Sequence, residues 1–347
     1  MERYMILGDG STGHINKWVS ELTKYYELYL VSFRSVREDT VDIIGRDHVF
    51  ELNSDINISG GNYSILRKVF VVRGIIKKVR PKYINAHYIT SYGTVAVLAR
   101  MFLSVNCKTI ASCWGSDILV TPLKNKLYYL LTQFILMHSD LVTSDSSYMA
   151  EVIKNIHSKA NVSVFPFGLN KLPKADIKEK NYNCIFSNRA WEPNYNIEKV
   201  IVFFDELCKG NSQLNLYIAN VGSEELKINN KILKSINRER IHVLGYLSRE
   251  EQNKMYQKCG YYISIPDSDS TSVSLLEAMA YGCIPIVSAL PANLEWIQDN
   301  RNGIIYDEKI KKLPFLDEAF SYNRNSIEKY AIWPKIVQEY SGILRKL

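Results

Sequence analysis

Short apolar runs alternate with stretches of helical periodicity along almost the whole chain, and this alternation restricts the fold more than any other feature. Tyr4–Gly8 reads as a strand, Gly13–Tyr25 as a helix with Trp18, Leu22 and Tyr25 on one stripe, and Glu27–Phe33 as a strand. Tyr63–Arg80 is helical, Tyr83–Ala86 a short strand, Ser91–Phe102 a helix, Lys108–Cys113 a strand, Lys124–His138 a helix and Leu141–Ser144 a strand. Successive parallel strands need long crossovers, and crossover helices cover both sheet faces, so this rhythm predicts an α/β chain with parallel sheets. The rhythm breaks at "VFPFGLNKLPKAD" (164–176), where Pro166, Gly168 and Pro173 remove helical periodicity, and then restarts. Strands are expected at 184–187, 214–219, 241–244, 261–265 and 284–288, with helices at 197–209, 227–237 and 249–258 between them. A chain of 347 residues is longer than one core usually serves. Two doubly wound, Rossmann-like domains are therefore expected, 1–167 and 168–325, facing across a cleft. The tail helix, 326–347, is expected to rejoin the first domain with Trp333 and Tyr340 as anchors.

In such sheets ligands bind at the carboxyl ends of the strands, so the strand-to-helix loops carry the functional candidates. "GDGSTGHINKW" (8–18) places Gly8, Gly10 and Gly13 between a strand and a helix, where backbone can approach a phosphate. No acid ends the second strand, as a nicotinamide dinucleotide site would require; Phe33-Arg34-Ser35 stands there. His14 follows in the same loop. "NAHYITSYG" (85–93) sets His87 and Tyr88 just past a strand, and "SCWGSDIL" (112–119) does the same for Trp114 and Asp117. Asp117 could cap a short helix or stabilise a cationic transition state. "FSNRAWEPNYN" puts Arg189 past a strand, where a guanidinium suits bidentate phosphate binding, though a surface salt bridge is the plainer alternative. "SDSTSVSLLEAMAYGCIPIVSA" (268–289) then joins a hydroxyl-rich loop to an apolar helix that carries one carboxylate, Glu277. Its free N–H groups and hydroxyls could hold a diphosphate, and a carboxylate one turn on could accept both hydroxyls of a ribose. Asp267-Ser268-Asp269 also spells a D-x-D metal–diphosphate signal, but it follows a second-domain strand, so no metal is expected.

Charge narrows the partners. The net charge is +7, with 19 Lys+Arg against 14 Asp+Glu in residues 1–170 and 24 against 22 in the rest. That excess is too small for nucleic-acid binding and suits a mild attraction to anionic lipid or phosphorylated ligands. The six cysteines are scattered without a C-x-x-C pair, as expected of buried thiols in a reducing cytoplasm. The chain enters a strand at once, leaving no room for a signal peptide, and its longest apolar helix, Leu127–Met137, is too short to span a bilayer. Lys124 and Lys126 precede that helix; it reads first as a core helix, with a place on a membrane surface as the alternative.

The stretch Asp269–Asp307 resembles the signature of the retaining glycosyltransferases of family 4, which have the GT-B fold. It shows an acid, seven residues and Glu277 in "LLEAMA", then Gly282, Pro285 and Asn302-Gly303. The likeness extends more weakly through "GDGSTGHINKW", "INAHYITSYG", "WGSDIL", "FPFGLN" and "HVLGYLSREE". It implies a metal-independent enzyme without a cofactor, moving a sugar from a nucleotide donor, UDP-linked, to a hydroxyl of a glycan or lipid-linked glycan. The setting implied is surface-polysaccharide assembly, in the cytoplasm or at the inner face of the membrane. By position, Glu277 resembles the ribose ligand, Asp269 the donor-sugar contact and Arg189 the arginine on the β-phosphate. Ser272, Val273, Ser274 and Gly13 line the phosphates, and Gly245 and Tyr246 bracket the base. Asp269, Asp117 and His87 are the catalytic candidates, and His14, Tyr88 and Trp114 the acceptor-side ones. Three positions depart from the pattern: Asp269 where Glu is usual, Asn194-Tyr195 where a Lys is expected, and Trp114 where many relatives have His. A non-catalytic sugar-nucleotide-binding or scaffold protein of the same fold is the rival. An epimerase or phosphorylase stands behind it.

Overall fold

A computed structural model describes residues 1–54, 67–101 and 103–347. The chain forms two compact units, Met1–Phe165 with Pro334–Leu347, and Pro166–Trp333. The first holds strands β1 (Arg3–Leu7), β2 (Glu27–Ser32), β3 (Val49–Glu51), β4 (Tyr83–His87), β5 (Lys108–Ser112), β6 (Leu141–Ser144) and β7 (Val162–Val164). All pair in parallel, in the order β3-β2-β1-β4-β5-β6-β7. Its crossover helices are α1 (Gly13–Leu22), α2 (Glu38–Ile44), α3 (Lys68–Val79), α4 (Thr94–Met101), α5 (Ser116–Leu119), α6 (Lys126–Met137) and α7 (Ser147–Ile156).

The second unit repeats the plan. Strands β8 (Asn181–Ser187), β9 (Asn215–Ala219), β10 (Ile241–Gly245), β11 (Cys259–Ser264), β12 (Ile284–Val287) and β13 (Ile304–Ile305) form a parallel sheet in the order β10-β9-β8-β11-β12-β13. Its helices are α8 (Ile197–Gly210), α9 (Glu225–Lys234), α10 (Arg249–Lys258), α11 (Val273–Ala280), α12 (Pro291–Leu294) and α13 (Ala319–Tyr330). A last helix, α14 (Trp333–Leu344), returns the chain to the first unit.

The tail is therefore two helices with different addresses. Residues 319–333 belong to the second unit, where α13 buries Ala319, Asn323 and Ile327, and Asn323 binds the carbonyls of Cys283 (3.2 Å) and Asn302 (2.8 Å). Helix α14 seals the first sheet through Tyr340, whose hydroxyl lies 2.6 Å from that of buried Tyr4. Sequence patterning missed the short elements α2, β3, β7, α12 and β13, and also the ten-residue amphipathic helix α7. Residues 63–66 of the expected helix Tyr63–Arg80, and Phe102, lie outside the described residues. Residues 89–93 form a π-helical turn rather than the start of an α-helix.

Strand order fixes where ligands can enter. In each sheet the order of strand addition reverses once, between β1 and β4 in the first unit and between β8 and β11 in the second. Loops leaving two strands at such a switch point diverge to opposite faces and open a crevice. All six cysteines are buried and free. Among the described residues, no helix is long and apolar enough to cross a membrane.

Candidate active site

At the switch point of the second unit, the loops after β8 and β11 meet. Asn194, where a lysine was expected, zips them together: its side chain donates to Ser268 O (2.8 Å) and accepts from Ser268 N (3.1 Å). Asn196 adds bonds to Ile265 O (3.0 Å) and Asp267 Oδ1 (2.7 Å). The zip lays Arg189 across the entrance to α11. Its Nη1 donates to Ser272 Oγ (2.6 Å) and Ser274 Oγ (3.3 Å), and its Nη2 to Asp269 Oδ2 (2.7 Å). Tyr195, at the other departing position, stacks on the guanidinium at 4.2 Å.

Three sequence candidates, Asp269, Ser272 and Ser274, thus converge on a fourth, Arg189. Arg189 is buried, and its Nε and the neighbouring Thr271 Oγ1 are buried without a hydrogen-bond partner. Because Ser272 Oγ faces Arg189, it does not cap α11, whose first N–H groups start at Val273. An uncapped helix start beside a buried guanidinium is chemically suited to an anion by both dipole and charge. Asp269 is half-enclosed there; burial raises its pKa, and the adjacent Arg189 and the Ser270 N–H oppose the rise. Glu277 lies one turn into α11, buried, and its Oε1 accepts from Arg249 Nη1. Arg249 escaped the sequence reading, although the capping-box letters Ser248-Arg249-Glu250-Glu251 flagged the helix start that holds it. Gly245 takes φ +63 with open space where a Cβ would stand, and Tyr246 after it is 76% exposed.

The first unit gathers its own candidates at its switch point. Asp117 is fully buried. Its Oδ1 accepts from Trp114 N and its Oδ2 from Ile89 N, each at 2.9 Å, so it clasps the β4 and β5 loops together. Burial pushes its pKa up to about 6 against these backbone bonds. His87 is also buried, and its Nδ1 accepts from Trp114 Nε1 at 3.2 Å. That bond fixes the proton on Nε2, which is buried with no partner, and burial lowers the ring's pKa to about 3. His87 is thus a neutral N–H donor at Nε2. Trp114 also meets the edge of His14 at 4.9 Å. Tyr88 holds φ +70, a strained value for a bulky residue, and its hydroxyl lies 3.1 Å from Ser116 Oγ. Gly13 opens α1, and a Cβ there would meet nothing within 4 Å, whereas one on Gly8 would strike Ile15 at 2.5 Å.

Asp267 pairs with Asn196 and, at 3.5 Å, with Lys199, so the D-x-D acids point to different cations. Among the described residues, no three His, Cys, Asp or Glu side chains come together to hold a metal.

Comparison with known proteins follows the two units. Residues 5–146 match the family described as glycosyl transferase 4-like, and residues 170–314 match glycosyl transferases group 1. The chain belongs to these glycosyltransferases and is an enzyme of that class. Its fold is GT-B, shared end to end with solved glycosyltransferases. Sucrose-phosphate synthase from Thermosynechococcus elongatus superposes with a TM-score of 0.83 at 12% identity, covering 100% of this chain and 99% of that one. Anabaena HepE, solved with UDP-glucose, gives 0.76 at 12% identity, with full coverage of both chains. The lipopolysaccharide outer core galactosyltransferase WaaB gives 0.70 at 16%, again with full coverage. At such identities the likeness concerns the fold. No curated protein matches by sequence.

Proposed function

We propose that this enzyme transfers a sugar, with retention, from a UDP-sugar to a hydroxyl of a glycan or lipid-linked glycan in surface-polysaccharide synthesis. The observation that carries the donor reading is the uncapped start of α11, flanked by buried Arg189 and followed one turn later by buried Glu277. The diphosphate would lie on Arg189 and the Ser272–Ser274 N–H groups. The ribose would meet Glu277, the base Gly245–Tyr246, and the donor sugar Asp269. Positive charge for the departing diphosphate then comes from a guanidinium and a helix dipole, so transfer is read as metal-independent.

Retention fits the first unit's chemistry. Both oxygens of Asp117 accept backbone N–H groups and His87 Nδ1 accepts from Trp114 Nε1, so neither presents a free acceptor atom for a hydroxyl proton. In front-face displacement the bond from the anomeric carbon to phosphate oxygen breaks, and the acceptor oxygen bonds on the same face. The acceptor proton passes to the departing phosphate, and UDP leaves. The protein then supplies positioning and electrostatics, with His14, Tyr88 and Trp114 on the acceptor side.

A lipid-linked acceptor calls for a membrane surface, and α6 supports one. Leu127, Leu130 and Met137 lie exposed on one stripe with half-buried Phe134; Leu123 before them is 80% exposed. Lys124 and Lys126 flank the stripe, and no acid occurs between Asp117 and Asp140. An apolar stripe edged by lysines suits the anionic inner face of a bilayer.

Transfer assays on Glu277→Ala and Arg189→Ala test the reading; near-normal turnover in both would sink it.

A further inference from the structure

Arg249 stands where a cation is unfavourable. It is the first residue of α10, at the positive end of the helix dipole. Ser248 and Glu251 close a capping box around it: Ser248 N donates to Glu251 Oε2 (2.7 Å) and Glu251 N to Ser248 Oγ (3.3 Å). The backbone carrying Arg249 is thereby fixed, and the side chain is committed to Glu277. The pair is lopsided, with the arginine side chain 62% exposed and the carboxylate 6%. A buried carboxylate with no cation is costly, so Glu277 needs this partner far more than Arg249 needs Glu277. The segment just before, Gly245–Leu247, carries the two residues read above as bracketing the base. Arg249 therefore lies between the base-side backbone and the ribose carboxylate.

We propose that Arg249 is a positioning residue of the donor site. It grips Oε1 of Glu277, keeps that carboxylate paired inside α11, and leaves Oε2 to take the ribose hydroxyls. The proposal rests on the donor reading above. A planar guanidinium fixes a carboxylate's orientation as well as its charge, which an ammonium does less well. Arginine should therefore outperform lysine, and lysine should outperform an uncharged residue of similar length.

Calorimetric binding of UDP and 2′-deoxy-UDP to the full chain tests this, with wild type, Arg249→Ala, Arg249→Lys, Arg249→Met, Glu277→Ala and the Arg249→Ala/Glu277→Ala double variant. Wild type should prefer UDP. Arg249→Ala and Arg249→Met should each weaken UDP about tenfold, in line with a lost charge-assisted contact, and erase the preference. Arg249→Lys should fall between. In turnover the donor KM should rise by the same factor while kcat stays within about threefold, the pattern of lost uniform binding. Adding Arg249→Ala to Glu277→Ala should change the dissociation constant by less than about twofold, because the two residues act as one unit. Unchanged UDP affinity and preference in Arg249→Ala, or effects that multiply in the double variant, would overturn the proposal alone. A wild-type chain that ignores UDP, or a Glu277→Ala variant that binds it normally, would overturn the donor reading and this inference together.

Discussion

Helices α6 and α11 look alike as letters and end in opposite surroundings. "KLYYLLTQFILM" and "VSLLEAMA" are both apolar runs. Helix α11 buries every residue from Leu275 to Ala280, its carboxylate included, between the sheet and α13. Helix α6 buries only Thr132, Ile135 and Leu136. Its leucines split into an inner set packed on the core and an outer set in solvent. Apolarity shows that a surface must be covered; the neighbouring elements decide what covers it. Where a second helix layer exists, even a charge is carried inside. Where the described residues supply none, leucines are left facing outward.

The largest effect should come from the buried end of this contrast. Glu277→Ala and Arg189→Ala should each reduce transfer by about 10²–10³-fold or more, the scale seen when a preorganised electrostatic contact is removed. Glu277→Ala should melt nearly as wild type, whereas Arg189→Ala should melt lower because it leaves Asp269 without its cation. Next, the two helices should respond oppositely to the same change. Leu276→Ala should cost about 2–5 kcal/mol in denaturant unfolding, whereas Leu127→Ala should fall within about 0.5 kcal/mol. Leu127→Glu with Leu130→Glu should leave the fold intact and abolish sedimentation with phosphatidylcholine vesicles that contain phosphatidylglycerol. If wild type ignores such vesicles at low salt, α6 has no membrane role. If the double variant instead splits a dimer, the outer leucines cover a second copy.

Much of the second unit was legible because its motif is local. The acid, the seven-residue spacing, Glu277 and the hydroxyl run all lie within one loop and one helix, and the strand order needed only to bring in Arg189. What stayed hidden was pairwise and distant. Nothing in the letters joined Arg249 to Glu277, 28 residues away, or showed that Asn194 would spend its side chain on Ser268. Asp117 showed its alternatives but not that Ile89 N would take its second oxygen. Helix α6 misled for another reason: its run fits a core helix, yet among the described residues no outer layer covers it.

A smaller effect separates approach from packing at the first loop. A Cβ on Gly13 meets nothing within 4 Å, so Gly13→Ala should fold as wild type. If donor phosphate comes within backbone range there, that variant should raise the donor KM several-fold. Gly8→Ala should instead destabilise by about 1–3 kcal/mol, because its Cβ presses on Ile15 at 2.5 Å. A Gly13→Ala variant with normal KM would strike Gly13 from the donor-binding candidates.

The smallest expected effect concerns the two buried ionisable groups of the first unit, which pull stability in opposite directions with pH. Burial depresses His87 to about 3 from its ordinary 6.5. The neutral ring's contribution is present above pH 6.5 and is lost as pH falls toward 3, because the unfolded chain takes up the proton first. Burial raises Asp117 to about 6 from 3.8. Its contribution is full below pH 3.8 and is lost as pH rises through 6. Between pH 4 and 6, acidification therefore costs stability at His87 and restores it at Asp117, each by at most about 1.4 kcal/mol per pH unit. Melting temperatures from pH 4 to 7.5 should show His87→Gln losing less on acidification than wild type, and Asp117→Asn losing more. Parallel profiles for all three proteins would mean that both groups are better hydrated than their burial implies. His87 would then be open to protonation, and the case for a first unit without a strong base would weaken.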